Sequence, residues 1–197
     1  MTDQKREKAG RGDLGTKRYR RCVAAFDRVE HCLQERYYIE AIAILDSLIS
    51  DRLASRLGFL ANQEISAQLT CGQLCNQLVG ASTAASGSGA EKKHEFRAIV
   101  GDIQSWVQRR NDAMHGTAKI LRGDEPDVTF DDMLKSHCQD AVNGRELLRR
   151  FDDLDTAERG EKGKRPATAP NAFFPERRGT KGARRLPDEG RPMGGCG

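Results

Sequence analysis

Residues 37–60, YYIEAIAILDSLISDRLASRLGFL, decide the fold class of this 197-residue chain. Apolar side chains recur there every three or four residues, which is the spacing of one face of an amphipathic helix. The residues that form this face are Ile39, Ile42, Leu45, Ile49, Leu53 and Leu57. The stretch therefore predicts a helix from Tyr37 to about Leu60 with one buried face.

The same periodicity continues on both sides of this stretch, and no segment alternates as a strand would. Four further helices are predicted, over 17–34, 63–79, 90–115 and from 129 to about 154. Gly72 and Gly144 are expected to weaken two of them, since glycine in a helix costs about 1 kcal/mol relative to alanine. The connections are short. The sequence therefore predicts an all-α fold, an antiparallel bundle of four to five helices.

Charge and composition set the domain boundaries. Residues 1–21 and 157–197 each carry a net charge of +5, whereas 22–156 carry −6. Five of the six prolines lie beyond residue 165. We expect a disordered basic arm at 1–16, a helical domain at 17–157 and a disordered Gly/Pro/Arg-rich tail at 158–197. The basic tails can attract phosphate polymers in a salt-sensitive way, or they can serve solubility alone.

Several classes of protein and site are not expected. The chain has no apolar run long enough to span a membrane and no secretory signal, which predicts a cytoplasmic protein without membrane contact. Its six cysteines lack zinc-finger or zinc-ribbon spacing, so we interpret them as reduced, small apolar residues. No cofactor or metal site is predicted.

The helix predicted over 90–115 ends in the polar motif Arg109-Arg110-Asn111-Asp112-Ala113-Met114-His115. Its apolar face consists of Phe96, Ile99, Val100, Ile103, Trp106 and Val107. At about 100° per residue, Arg110 falls within that face and Met114 continues it. A charged group that points inward needs a partner, so Arg110 is a candidate for a function.

Two parts of the sequence resemble a HEPN domain: residues 37–53 and, more specifically, 109–116. Active members of that family share an arginine, four to six intervening residues and a histidine, often with a polar residue directly after the arginine. Arg110, Asn111 and His115 match this pattern. The resemblance covers about residues 20–156 and neither tail.

The resemblance implies a helical bundle, usually a homodimer, that acts as a metal-independent endoribonuclease. It also implies a toxin or antiviral-defence effector that is restrained by a regulatory protein, such as a nucleotidyltransferase-type antitoxin. RNA would be the substrate, and the groove that holds it would form where two copies meet. No cofactor is implied.

The residue types support such chemistry on their own. A histidine at His115 can take a proton from a ribose 2′-hydroxyl or give one to the leaving oxygen near neutral pH. Arg110 can bind the scissile phosphate bidentately and stabilise the charge that builds on it. Asn111 can orient the imidazole or bind phosphate, and Arg109 can steer the substrate. These four residues are the candidate site.

A structural interpretation stays open beside the catalytic one. Arg110 could pair with a carboxylate such as Asp112 or an acidic residue of the last helix, and Asp112 could then compete with phosphate. His115 could simply interact with the helix dipole. In that case the chain would be a noncatalytic interaction or dimerisation module.

Overall fold

The computed structural model describes residues 13–63, 65, 68–81, 88–116 and 129–161. Within these ranges the chain forms six helices and no strand, which confirms the predicted all-α class. The helices are α1 (Asp13–Gln34), α2 (Tyr38–Ala61), α3 (Cys71–Val79), α4 (His94–His115), α5 (Phe130–Ser136) and α6 (Cys138–Glu161). Most of the expected basic arm and nearly all of the C-terminal tail lie outside the described residues.

Helix α2 forms the centre of the bundle and packs against α1, α3, α4 and α6. Its predicted apolar face is buried: Ile42, Leu45, Ile49 and Leu53 are at most 1% exposed. Each such side chain contributes about 1.5–3 kcal/mol to stability. The helix ends at Asn62, which adopts a left-handed conformation (φ 51°) and donates its N–H to the Gly58 carbonyl.

Contacts between side chains give the relative directions of the helices. Helices α2 and α4 run in opposite directions, as do α4 and α6, whereas α2 and α6 run in the same direction. The contacts are Asp46–Arg110 and Arg56–Phe96 for α2 with α4, Trp106–Gly144 and Asp102–Arg150 for α4 with α6, and Arg52–Asp152 and Arg56–Glu158 for α2 with α6.

Helix α3 is shorter than the sequence pattern predicts, since it begins at Cys71 instead of Gln63. Thr70 caps it: its hydroxyl accepts from the Gln73 N–H, and the Gln73 side chain accepts from the Thr70 N–H. Such a capping box satisfies two backbone donors at the start of a helix. Gly72 therefore lies in the first turn of α3, and it does not interrupt the interior of a longer helix.

Helix α4 begins at His94, four residues later than predicted. The carboxylate of Glu91 accepts hydrogen bonds of 2.9 Å from the backbone N–H groups of both Lys92 and Lys93. These bonds hold the preceding segment in a non-helical conformation.

The last predicted helix is two helices, α5 and α6, which are separated at His137. Thr129 and Asp132 form a capping box at the start of α5. Helix α6 continues to Glu161, beyond the expected boundary at residue 157. The reason is burial: Glu158 is 5% exposed and pairs with Arg56.

Arg56 joins three parts of the bundle at the end away from the motif. It is 1% exposed and forms ion pairs of 2.6 Å with Glu91 and with Glu158, while Asp155 lies 3.6 Å away. Its guanidinium also stacks 3.7 Å above the ring of Phe96. The cluster ties α2 and α6 to the segment that leads into α4.

The cysteines follow the prediction in part. Cys22, Cys32, Cys71 and Cys75 are free thiols, and the last three of these are buried. In the parts of the chain that the structure describes, no helix has the length and apolar character needed to cross a membrane.

Candidate functional site

The candidate site lies at the C-terminal end of α4, where the buried face of that helix gives way to polar residues. All six apolar residues predicted for this face are at most 6% exposed. Met114, which the pattern placed on the same face, is instead 40% exposed, and Ala113 is buried. In the last turn of α4, Met114 therefore lies outside the core, and Ala113 lies within it.

Gly116 directly follows α4 and keeps right-handed helical angles (φ −97°, ψ −33°) instead of the left-handed ones that often end a helix at glycine. Its N–H continues the helical pattern by donating to the Asp112 carbonyl at 2.7 Å. The segment that follows, 117–128, lies outside the described residues.

Arg110 points inward, as predicted, and its side chain is only 15% exposed. Its Nη2 donates to Oδ1 of Asp46 on α2 at 2.7 Å. Its acidic partner is therefore neither Asp112 nor a residue of the last helix, which were the two expectations. Asp112 is exposed and forms no ion pair within the described part of the chain, so Asp46 is the carboxylate that neutralises Arg110.

Asn111 supports Arg110. Its Oδ1 accepts a hydrogen bond of 2.6 Å from Nη1 of Arg110. In this structure the side-chain oxygen of Asn111 thus holds the arginine, and a contact of Asn111 with the His115 imidazole or with phosphate stays a prediction. Two neighbouring groups, one on α2 and one on α4 itself, thus fix the two Nη atoms of Arg110.

His115 is exposed at the last position of α4. Within the described residues it has no hydrogen bond or ion pair. It lies five positions after Arg110, which places the two side chains about 140° apart around the helix and about 7.5 Å apart along it. The structure therefore brings Arg110 and Asn111 together, and it leaves His115 open to solvent on another side of the same helix.

Arg109 faces away from this arrangement. Its Nε donates to Oδ1 of Asp140 on α6 at 2.8 Å, and its side chain is 46% exposed. It also lines an open groove of about 320 Å³ between α4 and α6, together with Arg150. Neither Arg110 nor His115 lines that groove. Arg109 is thus separated from the other three candidates.

Asp46 is the residue that sequence reasoning missed. Its signal was present, because it lies four residues after Ile42 and three before Ile49, both of which are buried. A carboxylate at that position faces inward and needs a cation. One acidic residue on the buried face of α2 and one arginine on the buried face of α4 predict a pair, if the two helices are known to be neighbours.

The thiols of α3 lie near this carboxylate. A hydrogen bond from the Cys75 thiol to Cys71, burial and the negative charges of Cys71 and Asp46 raise the pKa of the Cys75 thiol. Such thiols are inert and do not act as nucleophiles. Among the described residues, no group of three or more His, Cys, Asp and Glu side chains is suited to hold a metal ion.

The arrangement holds one arginine in a fixed pose near the end of α4 and leaves an imidazole exposed on another side of the same helix. An arginine held this way can bind a phosphate, and an exposed histidine can exchange protons with a substrate. No family model, curated protein or solved structure matches the chain. The resemblance to the HEPN family therefore rests on the residues of the sequence itself.

Proposed function

We propose that this protein is a metal-independent endoribonuclease of the HEPN type that cleaves RNA by attack of a ribose 2′-hydroxyl. The proposal is carried by His115, which is exposed and has no partner among the described residues, on the same helix as an arginine that Asp46 and Asn111 already hold in place. An exposed histidine without a structural contact is available to a substrate. A nearly buried arginine offers phosphate a fixed set of donors.

The reaction follows from these two residue types. His115 takes the proton of the 2′-hydroxyl, and the 2′-oxygen then attacks the adjacent phosphorus. The bond from phosphorus to the 5′-oxygen breaks, and that oxygen receives the proton that His115 took up. Arg110 stabilises the negative charge on the phosphate oxygens during this step. The products are a 2′,3′-cyclic phosphate and a 5′-hydroxyl.

The angle between the two side chains favours a site built from two copies of the chain. On one α4, Arg110 and His115 point about 140° apart. In a homodimer with α4 of each copy near the other, Arg110 of one copy and His115 of its partner can face the same phosphate. Each of the two sites would then need both copies.

The biological setting is proposed from the family resemblance. The enzyme would act in the cytoplasm as a toxin or phage-defence effector. A nucleotidyltransferase-type antitoxin or another regulatory protein would restrain it. Arg109, on the neighbouring side of α4, would contribute at most to attraction of the RNA, because Asp140 already pairs with it.

A second function, that of a noncatalytic interaction module, is favoured by the Arg110–Asp46 ion pair. This pair links α2 to α4 and neutralises the arginine without any ligand. In that case His115 and the exposed Met114 would contact another protein. The two functions differ in whether purified protein cuts RNA.

The test uses total RNA in EDTA with purified wild type, His115→Ala and the matched control His94→Ala. His94 is also exposed and lies at the opposite end of α4. We expect fragments with 2′,3′-cyclic phosphate ends from wild type and His94→Ala but not from His115→Ala. Cleavage by His115→Ala would end the proposal, and no cleavage by any of the three would favour the interaction module.

A further inference from the structure

The guanidinium of Arg110 has more N–H donors than its two partners use. An arginine carries five N–H groups, one on Nε and two on each Nη. Asp46 accepts from Nη2 and Asn111 accepts from Nη1. Nε is fully buried and has no acceptor. The second N–H of Nη1 and the second N–H of Nη2 are therefore the two donors left for a ligand.

The position of Asp46 determines which N–H groups of Arg110 remain available for a ligand. Asp46 is the acidic partner of Arg110, and it lies on a different helix from the arginine. Asn111 alone, directly next to Arg110 in sequence, fixes one Nη but not the plane of the guanidinium. The bond across the interface between α2 and α4 supplies the second fixed point. Because the arginine side chain has several rotatable bonds, two fixed points are needed to hold its plane.

We infer that Asp46 is a positioning residue that holds Arg110 so that one N–H on each Nη can bind a phosphate oxygen while the ion pair stays intact. The inference rests on the proposed ribonuclease function and deepens it. Asp46 is 27% exposed and Arg110 is 15% exposed, so the pair lies at the edge of the core, where a phosphate can approach one side. The carboxylate itself does not touch the substrate.

The predicted kinetic effect is on the chemical step. Asp46→Ala removes the second fixed point and lets the guanidinium move, and a misplacement of about 1 Å can lower the rate about 10²-fold. It also removes a negative charge from the phosphate site, so KM for RNA should not rise. Asp46→Asn keeps an oxygen that accepts from Nη2 but loses the charge-assisted bond. We expect its kcat to be about tenfold below wild type, between wild type and Asp46→Ala.

The experiment measures kcat and KM with one RNA oligonucleotide for wild type, Asp46→Ala, Asp46→Asn and the matched control Asp112→Ala. Asp112 is an exposed acidic residue on α4, two positions from Arg110. Circular dichroism first establishes which variants are folded at the assay temperature. A merely structural role for Asp46 would lower the melting temperature and leave kcat of the folded protein unchanged.

Three results together would support the inference. They are a reduced kcat with unchanged or lower KM for Asp46→Ala, partial recovery of kcat for Asp46→Asn, and normal kinetics for Asp112→Ala. If wild type cleaves and folded Asp46→Ala cleaves equally well, the inference is overturned while the ribonuclease proposal stands. If Asp46→Ala does not fold, a wild-type kcat in Asp46→Asn overturns it. If wild type does not cleave, the ribonuclease proposal fails and this inference fails with it.

Discussion

Gly144 on α6 lies directly against the indole ring of Trp106 on α4. A Cβ atom at position 144 would lie 2.6 Å from Cζ2 of that ring. Trp106 is fully buried, and its Nε1 donates to the Asp140 carbonyl at 2.8 Å. The close approach of α4 and α6 therefore depends on the absence of a side chain at this position.

Gly144→Ala should destabilise the protein, although alanine is the better helix former. The added methyl must displace a buried ring that is also held by a hydrogen bond, and overpacking of this kind costs about 1–3 kcal/mol. Thermal unfolding followed by circular dichroism measures the change. Gly101→Ala on α4 is the control, since a Cβ there meets nothing within 4 Å. A Gly144→Ala variant as stable as Gly101→Ala would contradict this account.

The sequence predicted the helices well and their ends less well. Periodic apolar residues identified α1, α2 and α4, since burial of one face determines their position. Gly144 was predicted only to be a weak point of a helix. Its close contact with Trp106 was not predicted, because Trp106 is distant in sequence. The late starts of α3 and α4 depend on side-chain hydrogen bonds to backbone N–H groups, which periodicity does not report.

Arg56→Met should lower the free energy of unfolding by about 3–5 kcal/mol, because it removes the cation that pairs with buried Glu91 and leaves only Lys93 to pair with buried Glu158. Glu91 and Glu158 are at most 5% exposed, so water cannot replace the arginine. Urea denaturation measures the loss. The matched control is Arg150→Met, which removes an exposed pair with Asp102 and should cost at most about 1 kcal/mol. Equal effects of the two substitutions would contradict the structural importance of the Arg56 cluster.

His115→Ala should leave stability within about 0.5 kcal/mol of wild type, since the imidazole is exposed and forms no hydrogen bond or ion pair within the described residues. Differential scanning calorimetry measures this together with the RNA assay. A loss of several degrees in melting temperature, without any RNA cleavage by wild type, would instead favour the interaction module.

Mixing Arg110→Ala with His115→Ala tests whether two copies share each site. If Arg110 of one copy acts with His115 of its partner, a mixed dimer contains one intact site, and random mixing restores up to about a quarter of wild-type activity. The variants are mixed under conditions that exchange subunits, and cleavage is compared with each variant alone. No recovery, despite exchange shown by mass spectrometry, would mean that both residues of a site come from one copy.

The candidate site was predicted in part. Arg110 was expected to face inward from its place on the helix, and the structure confirms this. Its partner was not foreseen, because Asp46 is 64 residues away and sequence periodicity does not show which helices are neighbours. Arg109 is separate from the other candidates because it pairs with Asp140 of α6. Sequence periodicity likewise did not show that α6 is its neighbour. Local pattern thus predicts the direction of a side chain, and tertiary packing determines its partner.

The most direct test of the central claim is cleavage of one short RNA oligonucleotide, in EDTA, before and after a single 2′-deoxy substitution at the position that wild type cuts. The account predicts that the unmodified oligonucleotide yields a 2′,3′-cyclic phosphate and a 5′-hydroxyl. The substituted oligonucleotide should stay intact at that position, because the nucleophile is missing. Continued cleavage at the substituted position would contradict the proposed attack by the 2′-hydroxyl.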